Sequence, residues 1–306
     1  MDQITLGVFS PSVLLDVARS TGRLSDAGLE VRDVPVPSSP AQFTSLRAGE
    51  FDAVFTSPDN VLAYRFLPRN PLGELLDVEI VAGIDRGLRL CLAARPGVTG
   101  LSEVAGGRLG VDVPNSGFAF VGYALLAELG ISRDNLEVIA LGSTPKRANA
   151  LHSGGCDLTV LNAGNELTAR AHGCLLLAEV TRLGPYLGTV VARLRDGAGA
   201  GAVDRLVEVL GETARAIRSG ALDGPAGESA ARLLDLGPEL AAEHVGVLKD
   251  PLRGLIGNGA VDVAALGTLV GLRRQFLPMP ELDGLAARFG EVVRPGVLVG
   301  AGVTPG

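Results

Sequence analysis

One sequence frame occurs twice in this chain. Residues 46–60 read LRAGEFDAVFTSPDN and residues 151–165 read LHSGGCDLTVLNAGN. Leucine, glycine and aspartate stand at the same places in both copies, before an apolar run and a polar stretch that ends in asparagine. Glycine and aspartate are common at turns, so these shared residues are most simply structural. The repeat therefore predicts two units of similar construction.

Strand-like and helical patterns alternate in each unit. The first unit has strand-like runs at 4–9, 30–36 and 51–55 and helical patterns at 13–20, 40–48 and 59–66. The second has strand-like runs at 108–113, 138–141 and 157–161 and helical patterns at 118–129, 145–152 and 165–171. Further strand-like runs lie at 78–82, 88–94 and 188–194, and helices are predicted at 203–219, 226–235, 238–248, 261–275 and 281–289. This order predicts two α/β units with mostly parallel sheets and a helical C-terminal segment.

Composition narrows the kind of partner. The chain has 306 residues, is 47% hydrophobic and carries a net charge of -7 with no basic run, which argues against nucleic acid as a partner. No stretch approaches the roughly 18 uninterrupted apolar residues of a membrane span. Aromatic residues make up only 4% and tryptophan is absent, so stacking on rings is not the expected mode of binding. We expect a small organic ligand held by polar groups and aliphatic walls.

The residues that commonly bind metals or cofactors show no such pattern. Cys91, Cys156 and Cys174 are odd in number and lack CxxC spacing, which predicts buried thiols rather than disulfides or a zinc site. The three histidines lie in predicted helices without metal-ligand spacing. There is no dinucleotide fingerprint, phosphate-binding loop or GxSxG motif. The sequence predicts neither a metal nor a cofactor.

The first residues, MDQITLGVF, enter a strand directly, without the features of a secretory signal. As written, the chain is expected in the cytoplasm. If a signal has been removed, the expectation is an extracytoplasmic protein, and an ABC permease becomes a partner only in that case.

Several phrases occur in an order that resembles the type II periplasmic binding proteins, in particular the branch that binds aliphatic sulfonates and pyrimidine precursors of thiamine. The phrases are GLEV at 28–31, LRAGEFDAVF at 46–55, LSEVAGGRLGV at 101–111, LLAELGI at 125–131 and LHSGGCDL at 151–158. The run at 254–285 is similar to the closing helices of that branch.

This resemblance implies two lobes that close on a ligand like a hinged clamp. Lobe 1 would comprise residues 1–87 and 190–306 and lobe 2 residues 88–189, with crossing strands near 86–92 and 188–194. The same fold also resembles cytoplasmic enzymes such as a chorismate dehydratase and dihydroxyphthalate decarboxylase. Two functions therefore stay open: capture of a small molecule, and lyase or decarboxylase chemistry on a small organic acid.

Four polar loops follow predicted strands and are expected to face the cleft between the lobes. Ligands collect at the carboxyl ends of parallel strands, where helix N-termini leave backbone N–H groups free. Ordinary N-capping explains each single loop as well. Together with two arginines near the crossings, the loops predict a site formed by Ser10, Ser12, Ser57, Asp59, Asn60, Arg86, Asn115, Ser116, Gly117, Phe118, Asn162, Asn165, Glu166 and Arg182.

Asp59 and Glu166 have nearby positions in the two repeated loops, so we expect them to face each other across the cleft. There they could hold a cationic ligand or transfer a proton, whereas acid placement at a helix N-terminus is the structural alternative. Arg86 and Arg182 could bind a carboxylate or sulfonate. If the protein is an enzyme, Asp59, Glu166 and Ser116 are the candidates for acid, base or oxyanion donor.

Overall fold

The structure, a computed structural model, describes residues 1–300. The strands are β1 (Asp2–Val8), β2 (Leu29–Pro35), β3 (Ala53–Thr56), β4 (Val78–Asp85), β5 (Cys91–Ala94), β6 (Arg108–Val111), β7 (Glu137–Ala140), β8 (Leu158–Leu161), β9 (Leu175–Glu179), β10 (Thr189–Leu194), β11 (Val261–Asp262) and β12 (Leu298–Val299). The α-helices are α1 (Val13–Ser20), α2 (Arg23–Asp26), α3 (Ser39–Arg47), α4 (Pro58–Phe66), α5 (Gly117–Glu128), α6 (Thr144–His152), α7 (Asn165–Ala171), α8 (Ala200–Arg218), α9 (Asp223–Leu234), α10 (Pro238–Lys249) and α11 (Val263–Phe276).

Two five-stranded sheets organise the fold. The first has the order β2-β1-β3-β10-β4 and the second the order β7-β6-β8-β5-β9. We call the part built on the first sheet, with the C-terminal helices, lobe 1, and the part built on the second sheet lobe 2. The predicted fold class, two α/β lobes with helices around each sheet, is confirmed. The predicted lobe boundaries after residue 87 and before residue 190 stay a prediction.

Each sheet takes one strand from a chain segment that crosses between the lobes. In lobe 1, β1 pairs in parallel with β2 and β3, whereas β10 is antiparallel to both β3 and β4. In lobe 2, β6 pairs in parallel with β7 and β8, and β5 is antiparallel to β8 and β9. The parallel strands come from the βαβ units that the sequence predicts, and the antiparallel ones mark the two crossings.

The repeated frame has the same structural task in both lobes. Asp52 accepts a hydrogen bond from the backbone N–H of Thr5 at 2.8 Å, and Asp157 accepts one from that of Arg108 at 2.8 Å. Gly49 and Gly154 turn the chain with φ angles of 73° and 80°, which glycine adopts most readily. The frame thus ties a helix end to the start of a strand and delivers the next loop to the strand's carboxyl end.

Several elements differ from the sequence prediction, which did not include α2, β9, β11 or β12. The edge strand β9 reads LLLAE and is mostly half-exposed, so it lacks the alternation that would have revealed it. The helix predicted at 281–289 is instead two 3₁₀ turns, Pro280–Leu282 and Leu285–Glu291, because Gly284 between them has a φ of 71°. Cys91, Cys156 and Cys174 are buried free thiols, as predicted.

The C-terminal helices pack on lobe 1 and reach lobe 2. Helices α8, α9 and α10 share a buried apolar cluster with α1 and β1. Helix α11 instead packs between α4 of lobe 1 and α5 of lobe 2. Its Phe276 stacks on Phe120 with centroids 6.2 Å apart and meets Tyr123 edge-on at 5.4 Å. The chain end therefore connects the two lobes a third time, beside the two crossings.

Candidate functional site

A cavity of about 120 Å³ lies between the two lobes. It opens at the carboxyl ends of β1 and β3 in lobe 1 and of β6 and β8 in lobe 2, and α10 contributes to its wall. Its polar lining consists of Ser10, Ser12, Thr56, Ser57, Asn60, Asp85, Asp112, Ser116, Ser143, Thr144, Arg147, Asn162, Thr189 and His244. The apolar lining includes Phe9, Val13, Leu14, Phe55, Ile84, Leu88, Phe118, Leu248 and Leu255.

Four helices begin at this cavity. Ser12 and Ser116 cap α1 and α5, because their hydroxyls accept hydrogen bonds from the N–H groups of Leu15 and Ala119. Ser57 precedes α4 without capping it, and its buried hydroxyl oxygen has no partner in residues 1–300. Ser143 precedes α6 and makes no side-chain cap either. Free hydroxyls and positive helix ends around one cavity favour a ligand with hydrogen-bond acceptors.

Arg147, in the first turns of α6, lines the cavity and is only 1% exposed. Its guanidinium donates to the carbonyls of Gly142 at 2.6 Å and Val160 at 3.2 Å, and to the hydroxyl of Thr144 at 3.0 Å. Burial lowers the pKa of Arg147, but a guanidinium remains charged at neutral pH. The cavity therefore has a positive charge in its wall.

Two carboxylates lie in the same wall. Burial raises the pKa of Asp85 to about 6, although the hydrogen bonds that this carboxylate accepts from Thr189 and Gly87 lower it. Asp112 accepts a hydrogen bond from the Ser116 hydroxyl, and burial raises its pKa although the nearby charge of Arg147 acts in the opposite direction. Both carboxylates already accept hydrogen bonds from protein groups. Their contribution to the site is negative charge rather than free hydrogen-bond acceptors.

His244 closes the cavity from α10. It is 1% exposed, and its Nδ1 has no hydrogen-bond partner among the described residues. Burial lowers the pKa of His244 to about 4, so the imidazole is neutral at physiological pH. A neutral ring with a free nitrogen can donate to a ligand, accept from it or remove a proton.

Eight of the residues predicted from sequence line the cavity: Ser10, Ser12, Ser57, Asn60, Ser116, Gly117, Phe118 and Asn162. Asn162 also fixes the first crossing, because its side-chain amide donates to the carbonyl of Gly87 at 3.2 Å. Their part in ligand binding stays a prediction.

Asp59 lies outside the cavity lining, contrary to expectation. Its carboxylate, 1% exposed, accepts two hydrogen bonds from Arg273 of α11 at 2.8 and 2.6 Å. Arg273 also lies 3.5 Å from the carbonyl oxygen of Asn115 and 5.0 Å from the ring of Phe120. Asp59 therefore takes part in a buried ion pair where the lobes and α11 meet. Its position at the start of α4 does not direct its carboxylate into the cavity.

Glu166 also lies outside the cavity lining, and the charges that act on it are those of Arg89 and Glu243 rather than Asp59. It is fully buried, and its Oε2 accepts a hydrogen bond from the N–H of Gly164 at 2.9 Å. The other oxygen has no partner in the described part of the chain. Burial raises the pKa of Glu166 to about 8, so the side chain is largely protonated at neutral pH.

The remaining predicted residues also lie off the cavity. Arg182 and Asn115 are exposed at the surface. Asn165 donates to the carbonyl of Asn162 at 2.9 Å within its own loop. Arg86 is absent from the cavity lining. The charged side chains that influence its pKa are Arg218 and Asp262 of the C-terminal segment and Asp85. Proximity to a crossing in sequence does not direct these side chains toward the cleft.

Sequence reasoning missed Asp85, Asp112, Thr144, Arg147, Thr189 and His244. One signal was available for α6: Ser143-Thr144-Pro145 opens this helix as Ser38-Ser39-Pro40 opens α3. The repeat therefore extends upstream of the frame and includes a fifth loop. His244 gave no such signal, because α10 reaches the cavity only through tertiary packing.

Charged side chains bridge the lobes beside the cavity. Glu243 of α10 accepts hydrogen bonds from Arg89 at 2.5 Å and from Arg170 of α7. Glu179 at the end of β9 accepts one from Arg253 at 2.7 Å and lies 3.5 Å from Arg89. These pairs join lobe 2 to the C-terminal segment.

Across residues 1–300, no helix combines the length and apolar character needed to cross a membrane.

No protein-family model matches the chain, and no curated protein sequence matches it. Solved structures do. The alkanesulfonate-binding protein SsuA from Xanthomonas axonopodis pv. citri, bound to MOPS, superposes with a TM-score of 0.72 at 16% identity over 95% of this chain and 98% of its own. The periplasmic nitrate-binding protein NrtA from Synechocystis PCC 6803 gives 0.79 at 10% identity over 95% and 86%.

A third similar structure is an enzyme. The desulfurization enzyme DSZB superposes with a TM-score of 0.60 at 17% identity, over 92% of this chain and 93% of its own. At these identities the likeness concerns the fold alone. Sheet order, crossings and superpositions agree that this chain has the fold of the periplasmic binding proteins.

Proposed function

We propose that this protein captures a small organic anion by closing its two lobes around it. The observation that carries the proposal is the cavity itself, which is lined by both lobes and by α10. A ligand that touches both lobes is released only when they part, so binding and closure are coupled.

The charge and lining of the cavity support an anionic ligand. Arg147 contributes a buried positive charge, and four helix N-termini surround the space. Two proteins of the same fold are named for binding anions, namely alkanesulfonates and nitrate. The apolar residues of the lining leave room for a hydrocarbon part beside the charged group.

The test is a titration of the purified protein with short alkanesulfonates, carboxylates and nitrate, followed by calorimetry and thermal melting. A ligand at 100 times its dissociation constant should stabilise the folded state by about 2.7 kcal/mol. The proposal fails if no small molecule of these classes raises the melting temperature or produces heat.

A second candidate function is catalysis in the same cavity. The observation that favours it is His244, a neutral buried imidazole with a free nitrogen in the cavity wall. Such a group can accept a proton from a ligand, and its pKa of about 4 makes it a weak base unless the bound ligand raises that pKa. The similarity to DSZB adds that this fold accommodates an enzyme.

Binding and turnover are separated by H244Q. If His244 transfers a proton, H244Q should lower turnover about 10²-fold or more while ligand affinity stays near that of wild type. If the protein only binds, incubation with a captured ligand yields no product in either protein. Product analysis by mass spectrometry distinguishes the two functions.

A further inference from the structure

In the internal repeat, Arg147 of lobe 2 occupies the position that corresponds to a neutral residue of lobe 1. Arg147 lies four positions before Leu151, and Gln42 lies four positions before Leu46. Arg147 belongs to α6 and Gln42 to α3, the helices in whose last turns the repeated frame begins. Both are buried, with exposures of 1% and 0%.

The two side chains make the same hydrogen bond. Gln42 donates from Nε2 to the carbonyl of Phe55 at 3.0 Å, and Arg147 donates from Nη2 to the carbonyl of Val160 at 3.2 Å. Phe55 and Val160 occupy corresponding places in the two frames. An uncharged amide is thus sufficient to hold the helix to its strand, so the fold does not require the charge of Arg147.

Among the described residues, that charge has no carboxylate in direct contact. Within residues 1–300, no ion pair within 4 Å includes Arg147; Asp112 acts on its charge from farther away, and the buried Nε of Arg147 has no acceptor. Burying a charge without a counter-ion in direct contact is costly, and such charges are normally paired. Arg147 lines the cavity, whereas Gln42 is absent from its lining. The missing acceptor is therefore expected to be supplied from the cavity.

We infer that Arg147 pairs with the charged group of the ligand and sets the cavity's preference for a single negative charge. This rests on the capture function proposed above. Asp85 and Asp112 share the cavity wall, so a second negative charge on the ligand would face like charges. The ligand class is a small organic monoanion, a sulfonate or a carboxylate, with an apolar body.

The decisive variant is R147Q, which gives lobe 2 the residue that lobe 1 already uses. Calorimetric titrations of wild type and R147Q would use butanesulfonate, butanoate, 1-butanol and butyl phosphate. In wild type we expect the two monoanions to bind more tightly than the alcohol and the phosphate. In R147Q the affinity for the monoanions should fall by about 10- to 100-fold, because a charge-assisted hydrogen bond is lost. Affinity for the alcohol should stay within about threefold.

R108Q is the matched control, since it removes the same charge from lobe 2 at a residue outside the cavity lining. It should bind all four probes like wild type. Equal affinity of R147Q and wild type for the monoanions overturns the inference but leaves capture intact. Failure of wild type to bind any small ligand overturns capture and this inference with it. If circular dichroism shows that R147Q is unfolded, the same titrations are made on wild type and R147K. Equal affinity for the alcohol and the monoanions in both proteins then overturns the inference.

Discussion

Replacing Asp59 by asparagine should destabilise the protein far more than the loss of a helix cap. In the native structure, Asp59 and Arg273 form two hydrogen bonds of 2.8 and 2.6 Å, with the two side chains 1% and 7% exposed. Asparagine offers one oxygen, and its amide N–H₂ would face the N–H groups of the guanidinium. The variant D59N therefore loses one charged hydrogen bond and leaves a buried cation without its counter-ion.

These two losses set the magnitude. A charged hydrogen bond contributes about 1.5–3 kcal/mol, and breaking a buried ion pair by removing one partner costs about 3–5 kcal/mol in all. For a chain of this size, 1 kcal/mol corresponds to about 2 °C in melting temperature. We therefore expect D59N to melt about 6–10 °C below wild type. Arg273 also lies 5.0 Å from the ring centre of Phe120 of lobe 2, so the weakened pair stands where the two lobes meet.

Urea unfolding followed by circular dichroism is the appropriate assay, because the chain has no tryptophan to report by fluorescence. The double variant D59N/R273M removes the stranded charge and should be no less stable than D59N alone. The control is E291Q, which breaks the surface pair of Glu291 and Arg288, both about half exposed, and should cost about 1 kcal/mol or less. A loss below about 1 kcal/mol in D59N, matching E291Q, would refute this reasoning.

Three further outcomes are expected. Because burial raises the pKa of Glu166 from its ordinary 4.5 to about 8, the folded state keeps a proton that the unfolded chain releases, so stability falls as pH rises between these values. E166Q should flatten that decline in urea midpoints, and an unchanged slope would contradict it. G188A should cost about 1–3 kcal/mol, since its Cβ would lie 2.3 Å from an oxygen of Asp85, whereas G227A, with open space in α9, should be neutral or stabilising. E243Q removes the pairs with Arg89 and Arg170 and should enlarge the ligand-free radius of gyration in X-ray scattering; an equal radius speaks against those pairs as an interlobe clasp.

Local sequence signals predicted the fold well where the cause of the structure is local. Helix α1 spans Val13–Ser20 as predicted, because Ser12 caps it and apolar residues recur at helical spacing. The repeated frame correctly indicated two similar units. Strand β5 is antiparallel to β8, and β10 is antiparallel to β3. Neither pairing has a local sequence signal, since each arises where the chain crosses between the lobes.

The candidate site was predictable only as far as the strand ends. Ser57 and Asn162 follow buried strands and line the cavity, as topology requires. Asp59 stands two residues beyond Ser57, but its orientation depends on Arg273, which is 214 positions away. His244 likewise reaches the cavity through the packing of α10. Side chains whose partners come from distant segments could not be assigned from sequence patterns.

The position of α11 has a consequence for how fast the protein can exchange its ligand. An opening rotation that moves α5 away from α11 separates Phe276 from Phe120 and Tyr123 and exposes these rings to water. Each such aromatic pair contributes about 0.5–1.5 kcal/mol beyond the area that it buries. We therefore expect the open form to be a minor species even before ligand arrives. Association should consequently saturate at the opening rate as ligand concentration rises, and a bound molecule should have a long residence time.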